Sequence, residues 1–154
     1  MKNNYGDISV DLENHVALVE LHRPPHNFFD HEIICNLADA FEALDEESEC
    51  RAIVLASEGK SFCAGANFQQ RTIDAVPEPE KLKVNPLYAE AVRLFHCKKP
   101  FVAAIQGAAI GGGFGLAIAA DFRVACPEAR FAANFTKLGI HPGFGLTHTL
   151  PRLI

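Results

Sequence analysis

Apolar and polar residues alternate over residues 8–12 and again over 16–21, on either side of Glu13-Asn14. A period of two lines one face of an extended chain, so these runs predict a β-hairpin at the start of a sheet. The period then changes. Arg23-Pro24-Pro25-His26-Asn27 cannot be helical, because the prolines lack donors and hold the residues before them extended. Beyond it Ile33, Ile34, Leu37, Ala38, Phe41 and Leu44 fall on one face of a helix, with Asp30 as its N-cap and an end near Glu47. The apolar runs at 52–57 and 101–107 ("AIVLAS" and "FVAAIQG") read as buried strands.

Between those strands, "SFCAGANF" (61–68) reads as a loop, and residues 72–86, with Pro77, Pro79 and Pro86, as an irregular excursion. Residues 87–97 are helical by pattern, with Lys98-Lys99 before Pro100 as a fitting stop. A glycine-headed apolar helix follows the second strand. Residues 122–125 and 130–133 read as short strands, and 138–143 as a turn into a last helix. No repeat or linker interrupts the order, which argues one α/β domain over residues 1–154.

Composition narrows the partners. The chain has 154 residues, 49% hydrophobic and 21% charged, with a net charge of −5, enough to bury one core. No broad basic surface is available for nucleic acid or an anionic membrane, so a small molecule or a protein is the expected partner. Residues 1–7 lack the order of a secretory signal and no apolar run is long enough to span a bilayer, which predicts a cytoplasmic protein. The five cysteines are scattered without a C-x-x-C pair, so they read as reduced, mostly buried thiols, not a disulfide framework or a zinc site.

The stretch "GAAIGGGFGLAIAADFRVA" (107–125) carries the chemistry. Each glycine inside a helix costs roughly 0.5–1 kcal/mol relative to alanine, so Gly111, Gly112 and Gly113 need a reason. A strand running into glycines at a helix start presents unpaired N–H groups and the positive helix end, a setting that favours negative charge. A phosphate loop would close with Gly-Lys-Ser/Thr, where Phe114-Gly115-Leu116 stands instead. A dinucleotide fingerprint would need a third glycine at Leu116. An oxyanion site fits better, because Ala64-Gly65-Ala66 is a second glycine-bearing loop after a buried strand and could aim a second N–H at the same oxygen. Tight helix–strand packing would use the same glycines, and spacing alone leaves both readings open.

"SFCAGANF", then "KKPFVAAIQGAAIGGGFGLAIAADFRVA", then "ARFAANFTKLGIHPGFGLTHTLPRLI" resemble the crotonase, or enoyl-CoA hydratase/isomerase, superfamily. The likeness implies a spiral of β-β-α units, an acyl-CoA thioester as ligand, no cofactor beyond the coenzyme A of that thioester, and a homotrimer or homohexamer. It matches only the family's N-terminal core, without the helical C-terminal region. By position it makes Ala66 and Gly112 the donors of the two amides that hold the thioester oxygen as an enolate forms, with Gly112 lacking a side chain so that the thioester can approach. Ala64, Asn67 and Phe68 match the loop along the CoA, His26 a loop of the same groove, and Gly111, Gly115 and Phe135 the substrate site.

The proton-transfer groups depart from the family's pattern. Hydration needs a base to direct water and an acid for the α-carbon; the two glutamates that serve hydratases fall here on Gly115 and Phe135. His141 is the best titratable candidate near the acyl end, with a packed turn histidine as the alternative. Asp121 reads as a structural cap or pair, His148 joins no ligand set, His22 and His26 read as surface residues, Asn67 replaces a frequent aspartate, and Cys63 reads as a packed thiol. The expectation is an acyl-CoA-processing lyase or isomerase with atypical acid/base residues. The alternatives are a non-catalytic acyl-CoA binder, or another acyl-CoA reaction such as thioester hydrolysis.

Overall fold

The computed structural model describes residues 2–67 and 86–154. Strands β1 (Asn4–Tyr5), β2 (Ile8–Glu13) and β3 (Val16–Leu21) form an antiparallel edge, with Ile8 opposite Leu21 and Glu13 opposite Val16. Asn14 and His15 both take positive φ at the turn, the conformation whose twist matches the flanking strands. Ile8, Val10, Ala17, Val19 and Leu21 enter the core, as the alternation predicts.

Helix α1 (His31–Glu46) starts as expected, with the Asp30 carboxylate accepting from the Ile33 amide at 3.0 Å. Its whole predicted apolar face is buried, together with Ala40. Strands β4 (Ala52–Ser57) and β6 (Phe101–Ile105) extend the sheet in parallel. Ile53, Leu55, Phe101, Ala103 and Ile105 point inward while alternate residues are only half covered. The expected uniform burial of these strands therefore gives way to an alternating pattern.

The chain then repeats one plan. After β4 it adds β5 (Ser61–Cys63) to a second sheet and enters α2 (Pro86–Leu94). After β6 it adds β7 (Ala108–Ile110) and enters α3 (Gly112–Ala119). After β8 (Phe122–Ala125) it adds β9 (Arg130–Ala132) and a 3₁₀ turn at Asn134–Leu138. The first sheet has the order β1-β2-β3-β4-β6-β8 and the second β5-β7-β9, the latter all parallel. Each turn of the spiral gives one strand to each sheet, which is the β-β-α winding of the crotonase fold. A short α4 (Leu146–Thr149) and a 3₁₀ turn at Leu150–Arg152 end the chain.

Four expectations need correction. "SFC" is a strand, not loop, because its pairing with β7 supplies the backbone partners that its own three residues cannot. The helix expected over 87–97 ends at Leu94, and Lys98 and Lys99 serve another helix: the Lys99 ammonium donates to the Leu44 and Glu47 carbonyls at the C-terminus of α1, and Lys98 pairs with Glu46 at 2.6 Å. Cations favour that end of a helix dipole. The strand expected over 130–133 stops at Ala132. The last helix is one turn long before it tightens to 3₁₀. The excursion expected at 72–86 lies outside the described residues except for Pro86. No helix among the described residues is long and apolar enough to cross a membrane.

Candidate functional site

The Pro-Pro loop reaches the site through Asn27, which is fully buried at positive φ. Its side-chain amide donates to the Glu58 and Ser61 carbonyls at 2.8 and 2.7 Å, and its oxygen accepts from the Arg23 amide at 3.0 Å. These bonds lay residues 26–29 along the loop after β5. The Ala64 amide donates to the His26 carbonyl at 2.9 Å, the Phe29 amide donates to the Gly65 carbonyl at 3.0 Å, and Phe29 makes a single parallel bridge with Ala66. In a parallel bridge of that register Phe29 uses its own N–H and C=O on the neighbours of Ala66, so the Ala66 N–H turns away from Phe29.

Gly111, at φ +56, carries the chain from β7 into α3 with no side-chain cap. The Gly112 amide opens that helix and has no intrahelical acceptor. The two loops touch: a Cβ built on Gly65 would stand 3.4 Å from the Gly112 nitrogen. Ala66 and Gly112 line one cavity of about 400 Å³.

Packing explains the glycines as fully as chemistry does. A Cβ at Gly112 would overlap the Phe29 ring, and one at Gly113 would overlap the Cys63 carbonyl of β5. At Gly115 it would meet the Phe144 Cβ at 2.5 Å. The space left by Gly112 is thus occupied by Phe29, a residue the sequence did not single out. Phe29 in turn packs on Phe144, ring centroids 5.8 Å apart.

His26, Ala64, Ala66, Asn67, Gly111, Gly112 and Phe135 all line the cavity. Phe68 lies outside the described residues. Gly115 does not line it, because Phe144 fills the space beside it. His141 does not line it either: it borders a separate cavity with His148, is exposed, and its Nδ1 stands 2.8 Å from the Pro142 carbonyl. Asp121 is structural, accepting from the Phe101 amide at 2.9 Å. Cys63 is fully buried, and burial pushes its thiol up to about 12 against a hydrogen bond from Gly65, so it is no nucleophile at neutral pH. His22, between Ser9 at 2.7 Å and Glu58 at 3.0 Å, ties β2 to the end of β4.

Other lining residues escaped the sequence reading: Phe28, Phe29, Tyr88, Ile110, Asn134, Leu138 and Ile140. Adjacency to Phe135 was a signal for Asn134; Phe28, Phe29 and Ile140 come from loops, and Tyr88, Ile110 and Leu138 from the ends of short elements, whose meeting no periodicity gives. No aspartate or glutamate is among the described residues of the lining, whose acid–base side chains are His26 and Tyr88. An adjoining groove shares His26 and Phe29 and adds Arg23 and His31. Arg23 is already paired with Asp7 at 2.9 Å and Asp30 at 2.7 Å. Among the described residues no group of three His, Cys, Asp or Glu could hold a metal.

Known proteins share this fold. A family model described as enoyl-CoA hydratase/isomerase matches residues 11–154. A probable enoyl-CoA hydratase of Mycobacterium tuberculosis is 36% identical over 151 residues, which cover 97% of this chain and 59% of the relative. A probable enoyl-CoA hydratase of Bacillus subtilis is 33% identical over 96% of this chain and 57% of its own. The crystal structure of an enoyl-CoA hydratase subunit from Geobacillus kaustophilus superposes with a TM-score of 0.86 at 35% identity, over 97% of this chain and 58% of that one. The chain thus spans somewhat under three-fifths of the length of these relatives. With its fold, its two glycine loops and a match over nearly its full length, the chain belongs to the enoyl-CoA hydratase/isomerase family.

Proposed function

We propose that the chain binds an acyl-CoA thioester in the cavity between the Ala64–Ala66 loop and the start of α3, and polarises its carbonyl with the Ala66 and Gly112 amides. The carrying observation is the meeting of those two loops on one cavity. Donors fixed before reaction stabilise an oxygen as it gains charge, each typically worth about 10²–10³ in rate. That is the enolate half of hydratase and isomerase chemistry. The acyl part takes the apolar end of the cavity, by Ile110, Phe135 and Ile140, and the CoA part leaves past His26 and Asn67.

On this reading residues 1–154 act as one core domain, whose two sheets share a single apolar cluster. The protein works in the cytoplasm as a homotrimer or homohexamer, with no cofactor besides the CoA of its substrate. The strongly exposed Phe122 and Val124 on the edge strand β8 support assembly.

Infrared difference spectroscopy with crotonyl-CoA tests the reading. The bound thioester carbonyl stretch is expected at lower frequency than in water. Absence of binding, or binding with an unshifted carbonyl, overturns it.

A second reading has its own observation. The two positions that would carry hydratase acids are a glycine packed under Phe144 and the buried Phe135, so among the described residues no carboxylate lines the cavity to direct water. A non-hydrating acyl-CoA protein fits that wall. It is favoured if crotonyl-CoA binds with a shifted carbonyl and the chain does not hydrate it.

A further inference from the structure

The thioester cavity has an apolar neighbour of about 570 Å³, an open groove walled by the buried Ala91 and Phe144 and the exposed Val92 and Phe95, with His141 and His148 exposed at its rim. Among the described residues Tyr88 alone lines both cavities. Tyr88 comes from the first turn of α2 and its ring lies on the backbone of Gly143, in the loop before α4. A Cβ at residue 143 would overlap the hydroxyl and come within 2.6 Å of Cζ, so glycine is what allows the ring this seat. The hydroxyl has no hydrogen-bond partner among the described residues. Among the described residues, shape and not a polar contact holds the ring between the two spaces.

We propose that Tyr88, seated on Gly143, is the stop that sets the length of the acyl chain: a short chain ends at its ring inside the thioester cavity, and loss of the ring joins the two cavities and admits a longer one. The inference rests on the acyl-CoA reading above and adds its substrate class, short-chain acyl thioesters. The second cavity suits the continuation of an aliphatic chain because its inner walls are apolar and carry no charged group. Each methylene moved from water into such a space is worth about fourfold in affinity, so a few of them outweigh the cost of ordering the chain.

The test is calorimetric binding of butyryl-CoA and decanoyl-CoA to the wild-type chain and to Tyr88→Ala, Tyr88→Phe and Gly143→Ala. The wild type and Tyr88→Phe are expected to bind decanoyl-CoA no more tightly than butyryl-CoA. In Tyr88→Ala the ratio is expected to move by about tenfold or more toward decanoyl-CoA. Gly143→Ala moves it the same way, because the added methyl unseats the ring while leaving residue 88 intact. An unchanged ratio in both variants, or a wild type that already prefers decanoyl-CoA by that factor, overturns the role of Tyr88 and leaves the acyl-CoA reading standing. If butyryl-CoA does not bind the wild type, both fall together.

Discussion

One methyl group at residue 112 tests how the site is built. A Cβ there would run into the ring of Phe29, whose backbone bridges to Ala66, so Gly112→Ala is expected to push one amide loop away from the other. Overpacking of this kind costs about 1–3 kcal/mol. We expect a fall in melting temperature together with loss of acyl-CoA binding; a variant that keeps both would show that Phe29 yields without moving the loop. Asp30 offers a second residue-scale test. Burial pushes its carboxyl up, but the Ile33 amide and the Arg23 guanidinium outweigh burial and hold it below the usual carboxylate range. A depressed folded pKa means stabilisation that is present above the unfolded value and is lost as pH falls through the folded one. Asp30→Ala should therefore cost about 1 kcal/mol at neutral pH, and chemical denaturation should show that gap closing in acid, below about pH 4. A gap independent of pH would leave the cap without its charge. This cap was legible in the sequence because Asp30 stands just before a clean 3.6-residue period. The seat of Phe29 was not legible, because nothing local says which ring will lie over which glycine.

At the scale of elements, α2 is held to α1 by charge. Arg93 donates to Asp39 at 2.6 Å, to both carboxylate oxygens of Glu42 at 2.7 and 2.6 Å, and to Glu90 at 2.5 Å. Its guanidinium is shifted well above its ordinary value by those acids, Glu42 first. The network is partly open to solvent, and exposed ion pairs are worth about 0.2–1 kcal/mol each and less in salt. Arg93→Gln is expected to lower stability by about 1 kcal/mol, with the difference shrinking at high ionic strength; thermal melts at low and high salt read it, and a loss independent of salt would mean that Arg93 acts through packing. Helices and the longer strands could be read from sequence because each repeats its period several times. Strands β5 and β7 have three residues each and give no period to read. They exist because the spiral returns the chain beside itself, a tertiary fact. The same holds for Lys98 and Lys99, whose partners lie more than fifty residues away on α1.

The whole molecule decides what the glycine helix can do. Three turns of the spiral bring β5, β7 and β9 together, so the loops that leave them converge from distant parts of the chain. The glycines mark where that happens, and this much of the site was readable. His141 borders the second cavity and not the first because the path from β9 through the 3₁₀ turn carries it past Tyr88. Phe144 shows the same effect more sharply: it is buried at φ +54, where a side chain is strained, and its Cβ fills the place a side chain at 115 would need. Residues 115 and 144 therefore act as a pair. Gly115→Glu alone is expected to destabilise the fold by more than about 2 kcal/mol, since it overpacks the core and buries a charge. Phe144→Gly alone leaves a void, costing about 3–5 kcal/mol less what glycine recovers at positive φ. Together they should cost less than the sum, with a coupling of about 1–3 kcal/mol measured by a double-mutant cycle of denaturation curves. A carboxylate can be seated beside the Gly112 amide only on that background, so Gly115→Glu with Phe135→Glu should still fail to hydrate crotonyl-CoA. Adding Phe144→Gly is the change expected to make hydration measurable. Additive stabilities, or hydration by the glutamate pair with Phe144 in place, would show that the ring does not bar the acid from the site.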